Sequence, residues 1–319
     1  MNKDTVELGQ LHKELNSALA LIEGSVSKLP KFPTMSPNII QESESLLEQC
    51  EAVVAKNQRS KPVIRIIHHL ACSGGTLISK CIAALPNTFL LSEIHPTTRL
   101  HLGAGKPKFS PSDITTLARY ANLPNVDELA WEILENNIDI TLRHTTRNGG
   151  FLVLREHTHS DYCVGPKAVI NSQLVDHLKK QYDVCNLATV RHPVDCYVSM
   201  KLNNWLHFEP QSFDEYCKRY LLFLKQFDPH QIIKYEDFVA SSDKTMTRIA
   251  NILNLPYSPA YRDVFACFNV TGDSGRGSGS IAPRTRRALP DDLISEINAS
   301  VNYAKLVKRL DYESTVTCS

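Results

Sequence analysis

Two clusters in the sequence are suited to holding anions. The first is Ser73-Gly74-Gly75-Thr76, preceded by Cys72. It follows an apolar, β-branched run from Val63 to Leu70 and precedes apolar residues at Leu77, Ile78, Cys81, Ile82 and Leu85, the spacing of one helical face. A strand, a tight small-residue turn and a helix aim backbone N–H groups and the positive end of the helix dipole at one point, which suits a phosphate. A Cβ at either glycine would obstruct close approach of the backbone. The second cluster is Arg191-His192-Pro193-Val194-Asp195-Cys196-Tyr197-Val198-Ser199, which follows the apolar run Cys185–Val190. Pro193 fits the first turn of a helix. Arg191 leaves the strand end and Ser199 lies two turns along the helix, so a guanidinium fork and a hydroxyl can share a second phosphate.

The elements that must position these groups alternate along the chain. After the first helix, which Pro86-Asn87 ends, the spacing predicts a strand over Thr88–Ser92 and helices over Ser110–Asn122 and Val126 to Arg147. Ser110 is the expected cap of the first of these, and Asn148-Gly149-Gly150 closes the second. A strand over Phe151–Leu154, a helix near Ser172–Tyr182, a strand over 184–190 and a helix over 193–205 follow. Further on, Phe213–Phe227 and Lys244–Leu253 read as helical, Gln231–Lys234 as a strand, and Asp291–Lys308 as helical. This alternation predicts an α/β fold, a mainly parallel sheet wrapped on both faces. In such a sheet ligands sit at the C-terminal ends of strands, where both clusters fall.

Together, S-G-G-T after a first strand and R-H-P-x-D-x-x-x-S after a later one resemble the sulfotransferases that use 3′-phosphoadenosine 5′-phosphosulfate (PAPS). Two later stretches are similar: Lys234-Tyr235-Glu236-Asp237-Phe238 with a helix ending Leu253-Asn254-Leu255-Pro256, and the Gly/Arg-rich run Ser274–Arg287. The resemblance extends from Pro62 to Leu310 and implies a P-loop-type α/β domain over residues 61–319. It implies that the turn Cys72, Ser73, Gly74, Gly75 and Thr76 cradles the 5′-phosphosulfate. Arg191 and Ser199 would bind the 3′-phosphate, and Arg276 with Gly277 would close over the donor. The reaction implied is in-line transfer of a sulfuryl group to an acceptor hydroxyl or amine, with a Glu or His as general base and no metal. Glu93 stands where glycan- and protein-directed members place a catalytic Glu. His157, with His159 beside it, stands where small-molecule-directed members keep a catalytic His. Glu93 is the preferred base and His157 the next. His68 and His69, on the first strand, read as structural, because adjacent strand residues face opposite ways.

The sequence departs from the family at Cys72, where many members carry a cation beside the leaving oxygen. Arg155, which leaves a neighbouring strand at the same sheet end, is the candidate replacement. Gly75 stands where a hydroxyl residue is usual, and Thr76 keeps the last hydroxyl. A kinase on a related sheet is the alternative enzyme, but no G-x-x-x-x-G-K-[ST] is present. A non-catalytic nucleotide-binding or scaffold protein is the alternative outside catalysis. The stretch between Pro96 and Gly150 and the loop Ser160–Pro166 are the expected acceptor wall, with Trp131, Tyr162, Trp205 and Phe208 as candidate lining.

Composition narrows the class further. The chain has 319 residues, 42% of them hydrophobic, enough for one α/β domain with an appendage. Its 35 basic and 34 acidic residues give a net charge of +1, so nothing calls for a nucleic-acid partner. The nine cysteines form no C-x-x-C pair, which speaks against a zinc or redox site and for free thiols in a reducing compartment. No apolar run reaches membrane-spanning length, and the expected location is cytoplasmic. Residues 1–60 form an N-terminal helical appendage: Leu8, Leu11, Leu15, Ala18 and Ile22 mark one amphipathic helix, and Ile40, Leu47, Cys50 and Val54 a second. A hairpin packed on the main domain is the preferred reading, and a homodimer through these helices is the alternative.

Overall fold

The computed structural model describes residues 12–20, 45–51, 61–98, 100, 113–270, 280–287, 289 and 291–313. The chain divides into two compact units, Met1–Ser60 and Lys61–Ser319. In the first, residues 12–20 and 46–51 are helical. The rest of the expected hairpin, and its loop, lie outside the described residues.

The second unit is built on five strands, β1 (Val63–His69), β2 (Thr88–Ile94), β3 (Phe151–Glu156), β5 (Asp183–Val190) and β7 (Ile232–Lys234), in the order β2-β3-β1-β5-β7. Every pair in this sheet is parallel. The short strands β4 (Val164–Gly165) and β6 (His207–Phe208) pair separately, also in parallel. The expected mainly parallel sheet is therefore present.

Alternation along β1 decides what covers each face. Ile64 and Ile66 pack with Ile138 and Leu142 of the helix Val126–Arg147 and with Leu174 and Leu178 of the helix Gln173–Leu178. Ile67 packs with Ile78, Cys81 and Ile82 of the helix Gly75–Ala83 and with Met246 and Ile249 of the helix Ser242–Ile252. Each such side chain taken fully out of water contributes about 1.5–3 kcal/mol. Arg65 shares the Ile67 face and donates to the carbonyls of Leu253 (2.7 Å) and Asn254 (3.1 Å), closing the C-terminal end of that last helix. A third cluster joins the helices Pro193–Leu202, Phe213–Leu224 and Val301–Leu310 around Tyr216, Tyr220 and Phe223.

Several boundaries differ from the sequence reading for local reasons. The helix expected over Ser110–Asn122 runs Ile114–Tyr120, and its cap is Asp113, which accepts from Thr116 N at 3.0 Å. Ser172 caps the helix Gln173–Leu178 by accepting from Val175 N. Of the stretch Ser160–Pro166, read as loop, Ser160–Tyr162 belongs to a short helix over Thr158–Tyr162. Tyr162 and Phe208, expected on the acceptor wall, are fully buried in the third cluster and cannot line it. Buried Arg219 holds that region together, donating to the carbonyls of Tyr162, Gly165 and Glu209.

Candidate active site

All five strands of the main sheet run in the same direction, so the residues leaving their C-terminal ends meet along one rim. β1 delivers His69 and the small-residue turn, β2 delivers Glu93, β3 delivers Arg155 and His157, β5 delivers Arg191, and β7 delivers Tyr235.

The turn ends in Gly74, which caps the helix Gly75–Ala83 with φ 83°, a left-handed conformation that favours glycine. Cys72 also has positive φ, 65°. Helix N-terminal N–H groups have no intrahelical partner, so those of Gly75 and Thr76 lead the helix dipole towards the rim. The glycines also make room for the protein's own side chains. A Cβ on Gly74 would fall 2.3 Å from the Tyr235 ring, and one on Gly75 would fall 2.5 Å from the His69 ring. Ser73 is buried, and its hydroxyl has no hydrogen-bond partner, nor does that of Thr189 at the end of the neighbouring strand. Orphaned hydroxyls in a turn of this shape fit an anion or water ordered there.

Next to the turn lies a charged array. Buried Arg155 donates to Ser92 Oγ at 2.8 Å and to Thr76 Oγ1 at 3.3 Å, and a terminal nitrogen sits 3.0 Å from Glu93 Oε1. Glu93 Oε2 is 3.6 Å from His157 Nε2. Glu93 itself has φ 62°, where the β2–β3 register shifts between Ser92 and Ile94. A bulge of this kind re-aims one side chain, here a carboxylate, at a cost of about 1–2 kcal/mol for the left-handed backbone. Glu93 and His157, weighed as competing bases, are neighbours. Arg155 reaches Thr76 in the turn. His159 is buried and packs edge-on against His207, ring centroids 5.9 Å apart.

His68 and His69 divide as alternation requires. His68 Nδ1 donates to buried Glu156 at 2.6 Å, and Glu156 also binds Thr158 and Ser172. His69, read as structural, contacts Arg155 and lies 4.0 Å from Glu93.

Arg191 and Ser199 of the second cluster come together. They line one open pocket with Arg284, Arg287 and Asp195. Asp195 binds Arg286 at 3.1 Å, which fixes the basic segment against the helix Pro193–Leu202. The Arg191 guanidinium lies over the Tyr235 ring, 5.0 Å from its centroid. That ring also abuts Gly74, and its hydroxyl donates to Ala282 O at 3.3 Å. Tyr235 thus touches the turn, the arginine and the basic segment at once; one ring lies between guanidinium and turn. Cys196 Sγ spans the same two loops, 3.7 Å from Cys72 O and 3.9 Å from Arg191 O. Glu236 accepts from His192 N at 3.0 Å and from Tyr312 Oη at 2.7 Å. Arg276 and Gly277 lie outside the described residues. Among the described residues no group of three or more His, Cys, Asp or Glu side chains is placed to hold a metal.

No family model and no curated protein matches the sequence. Among solved structures, the sulfotransferase domain of the Synechococcus PCC 7002 olefin synthase is similar, with TM-score 0.50 and 17% identity over 80% of this chain and 97% of that one. A sulfotransferase domain from the curacin biosynthetic pathway aligns at TM-score 0.46 and 15% identity, over 80% of this chain and 99% of its own. A mouse sulfotransferase complexed with PAP aligns at 0.36 and 13%, over 77% and 82%. The chain has the sulfotransferase fold.

Proposed function

We propose that the chain is a PAPS-dependent sulfotransferase that moves the sulfuryl group to an acceptor hydroxyl or amine. One relationship carries this reading. Neighbouring strands β1 and β5 bring the anion turn and the Arg191/Ser199 pocket side by side, joined through Tyr235. A nucleotide with phosphates at both its 5′ and 3′ positions has a use for both sites, whereas ATP has a use for only one.

The chain's own residues then divide the work. Backbone N–H groups of the turn hold the 5′ side of the donor, and Arg191, Ser199, Arg284 and Arg287 hold the 3′-phosphate. Arg155, bonded to Thr76, supplies the positive charge that Cys72 lacks beside the leaving oxygen. Glu93 takes the acceptor's proton, with His157 close enough to share it. The backbone strain at Glu93 fits a carboxylate aimed for chemistry rather than for stability. The described cysteines are all free, which favours a reducing, cytoplasmic setting. No helix among the described residues is long and apolar enough to cross a membrane.

The test is to incubate the purified full chain with sulfur-labelled PAPS and a panel of hydroxyl and amine acceptors. Label transferred to one acceptor class, with PAP formed in equal amount, is the expected result. No transfer to any class, together with phosphoryl transfer from ATP, would overturn the reading.

A further inference from the structure

His69 ends β1 and is buried, 7% exposed. Its Nδ1 lies 3.2 Å from the carbonyl oxygen of Leu70, which can only accept, so Nδ1 carries the hydrogen. Its Nε2 faces Arg155 Nε at 2.5 Å, and Arg155 Nε can only donate, so Nε2 offers its lone pair. Both ring nitrogens are therefore assigned, and the imidazole is neutral. Burial first, and the Arg155 charge second, hold its pKa well below the usual histidine value, in agreement with that assignment. The face of the ring abuts Gly75, where a Cβ would come within 2.5 Å. The ring is wedged between the anion turn and the guanidinium.

We propose that His69 is a positioning residue: its Nε2 lone pair sets the rotation of the Arg155 guanidinium, so that Nη2 faces Thr76 and Glu93 while Nη1 faces Ser92. Gly75 follows from this role, because any larger residue would displace the ring. An arginine on a flexible stem loses little by pointing elsewhere; one held at Nε by a fixed acceptor presents a fixed fork. The catalytic consequence rests on the sulfuryl-transfer reading. The hydrogen-bond geometry does not.

The test combines a spectroscopic and a kinetic measurement on the full chain. Nitrogen-15 NMR of the histidines should show His69 as the Nδ1–H tautomer, with an Arg155 Nε–H resonance that disappears in His69→Leu. With PAPS and an accepted acceptor, His69→Leu should lower kcat about tenfold or more, with PAP affinity within about twofold of wild type. His69→Gln, whose amide oxygen reaches the Nε2 position, should restore most of the loss. An Nε2–H tautomer, an unchanged kcat in His69→Leu, or a glutamine variant no better than leucine would each overturn the proposal. If His69→Leu does not fold, the tautomer and the glutamine variant decide it. If wild type neither binds PAP nor transfers sulfate, the enzyme reading fails, and the NMR result still judges the hydrogen bond.

Discussion

Glu93 and His157 meet across 3.6 Å, each delivered by the end of a different strand. In the proposed reaction the two groups share one proton path, and Arg155 stands 3.0 Å from the carboxylate. Glu93→Gln and His157→Gln should each lower turnover by about 10²-fold or more. The double variant should be little worse than the poorer single, because residues acting as a unit are not additive. Single-turnover rates for the four proteins check this. Losses that multiply would show two independent roles.

The glycines of the turn should differ in what they tolerate. Gly74→Ala meets Tyr235 and also carries φ 83°, so it combines a clash with backbone strain. Gly75→Ala meets only the His69 ring, and overpacking of that kind costs about 1–3 kcal/mol. Gly149→Ala, with φ 71° and open space around it, should lose only the left-handed preference, about 1–2 kcal/mol. Urea denaturation should therefore rank the losses Gly74, Gly75, Gly149. Gly74→Ala as the mildest of the three would contradict the packing described here.

Acid sensitivity should begin near neutral pH. His192 is buried beside Tyr312 and Tyr303; burial first, then the Arg286 charge, lower its pKa from 6.5 to about 4. As pH falls through 6.5 the unfolded chain takes up a proton that the folded chain refuses until about 4. The stability is thus complete above 6.5 and is lost between those values, by about 3 kcal/mol from this group. His69 acts in the same direction. Denaturation midpoints from pH 7.5 to 4.5 should fall steadily in wild type and less steeply in His192→Phe. Equal slopes would remove His192 from the account.

Local spacing made the first part of this architecture legible. The run Val63–Leu70, the turn and the apolar face Leu77–Leu85 all lie within one segment, as do Arg191 and Ser199. Contacts between remote segments were not legible. Nothing near Glu93 in sequence announces the bulge that turns its side chain or the approach of His157. Tyr235 belongs to a stretch to which the sequence assigns no role, yet it is the ring on which turn, Arg191 and Ala282 converge. His69 was set aside because adjacent strand residues diverge; the rule holds, but at a strand end the divergent side chain faces the site. Tyr162 and Phe208 look alike in sequence whether they line a wall or fill a core, and the short β4–β6 pair with Arg219 places them in the core.

The two-phosphate arrangement is tested most directly by calorimetric titration of the full chain with PAP and with AMP, in wild type and Arg191→Met. PAP should bind in the micromolar range, and AMP at least about tenfold more weakly, the worth of one charge-assisted contact. Arg191→Met should remove that difference. Equal affinity of wild type for PAP and AMP would contradict the claim that Arg191 and Ser199 hold a second phosphate beside the turn.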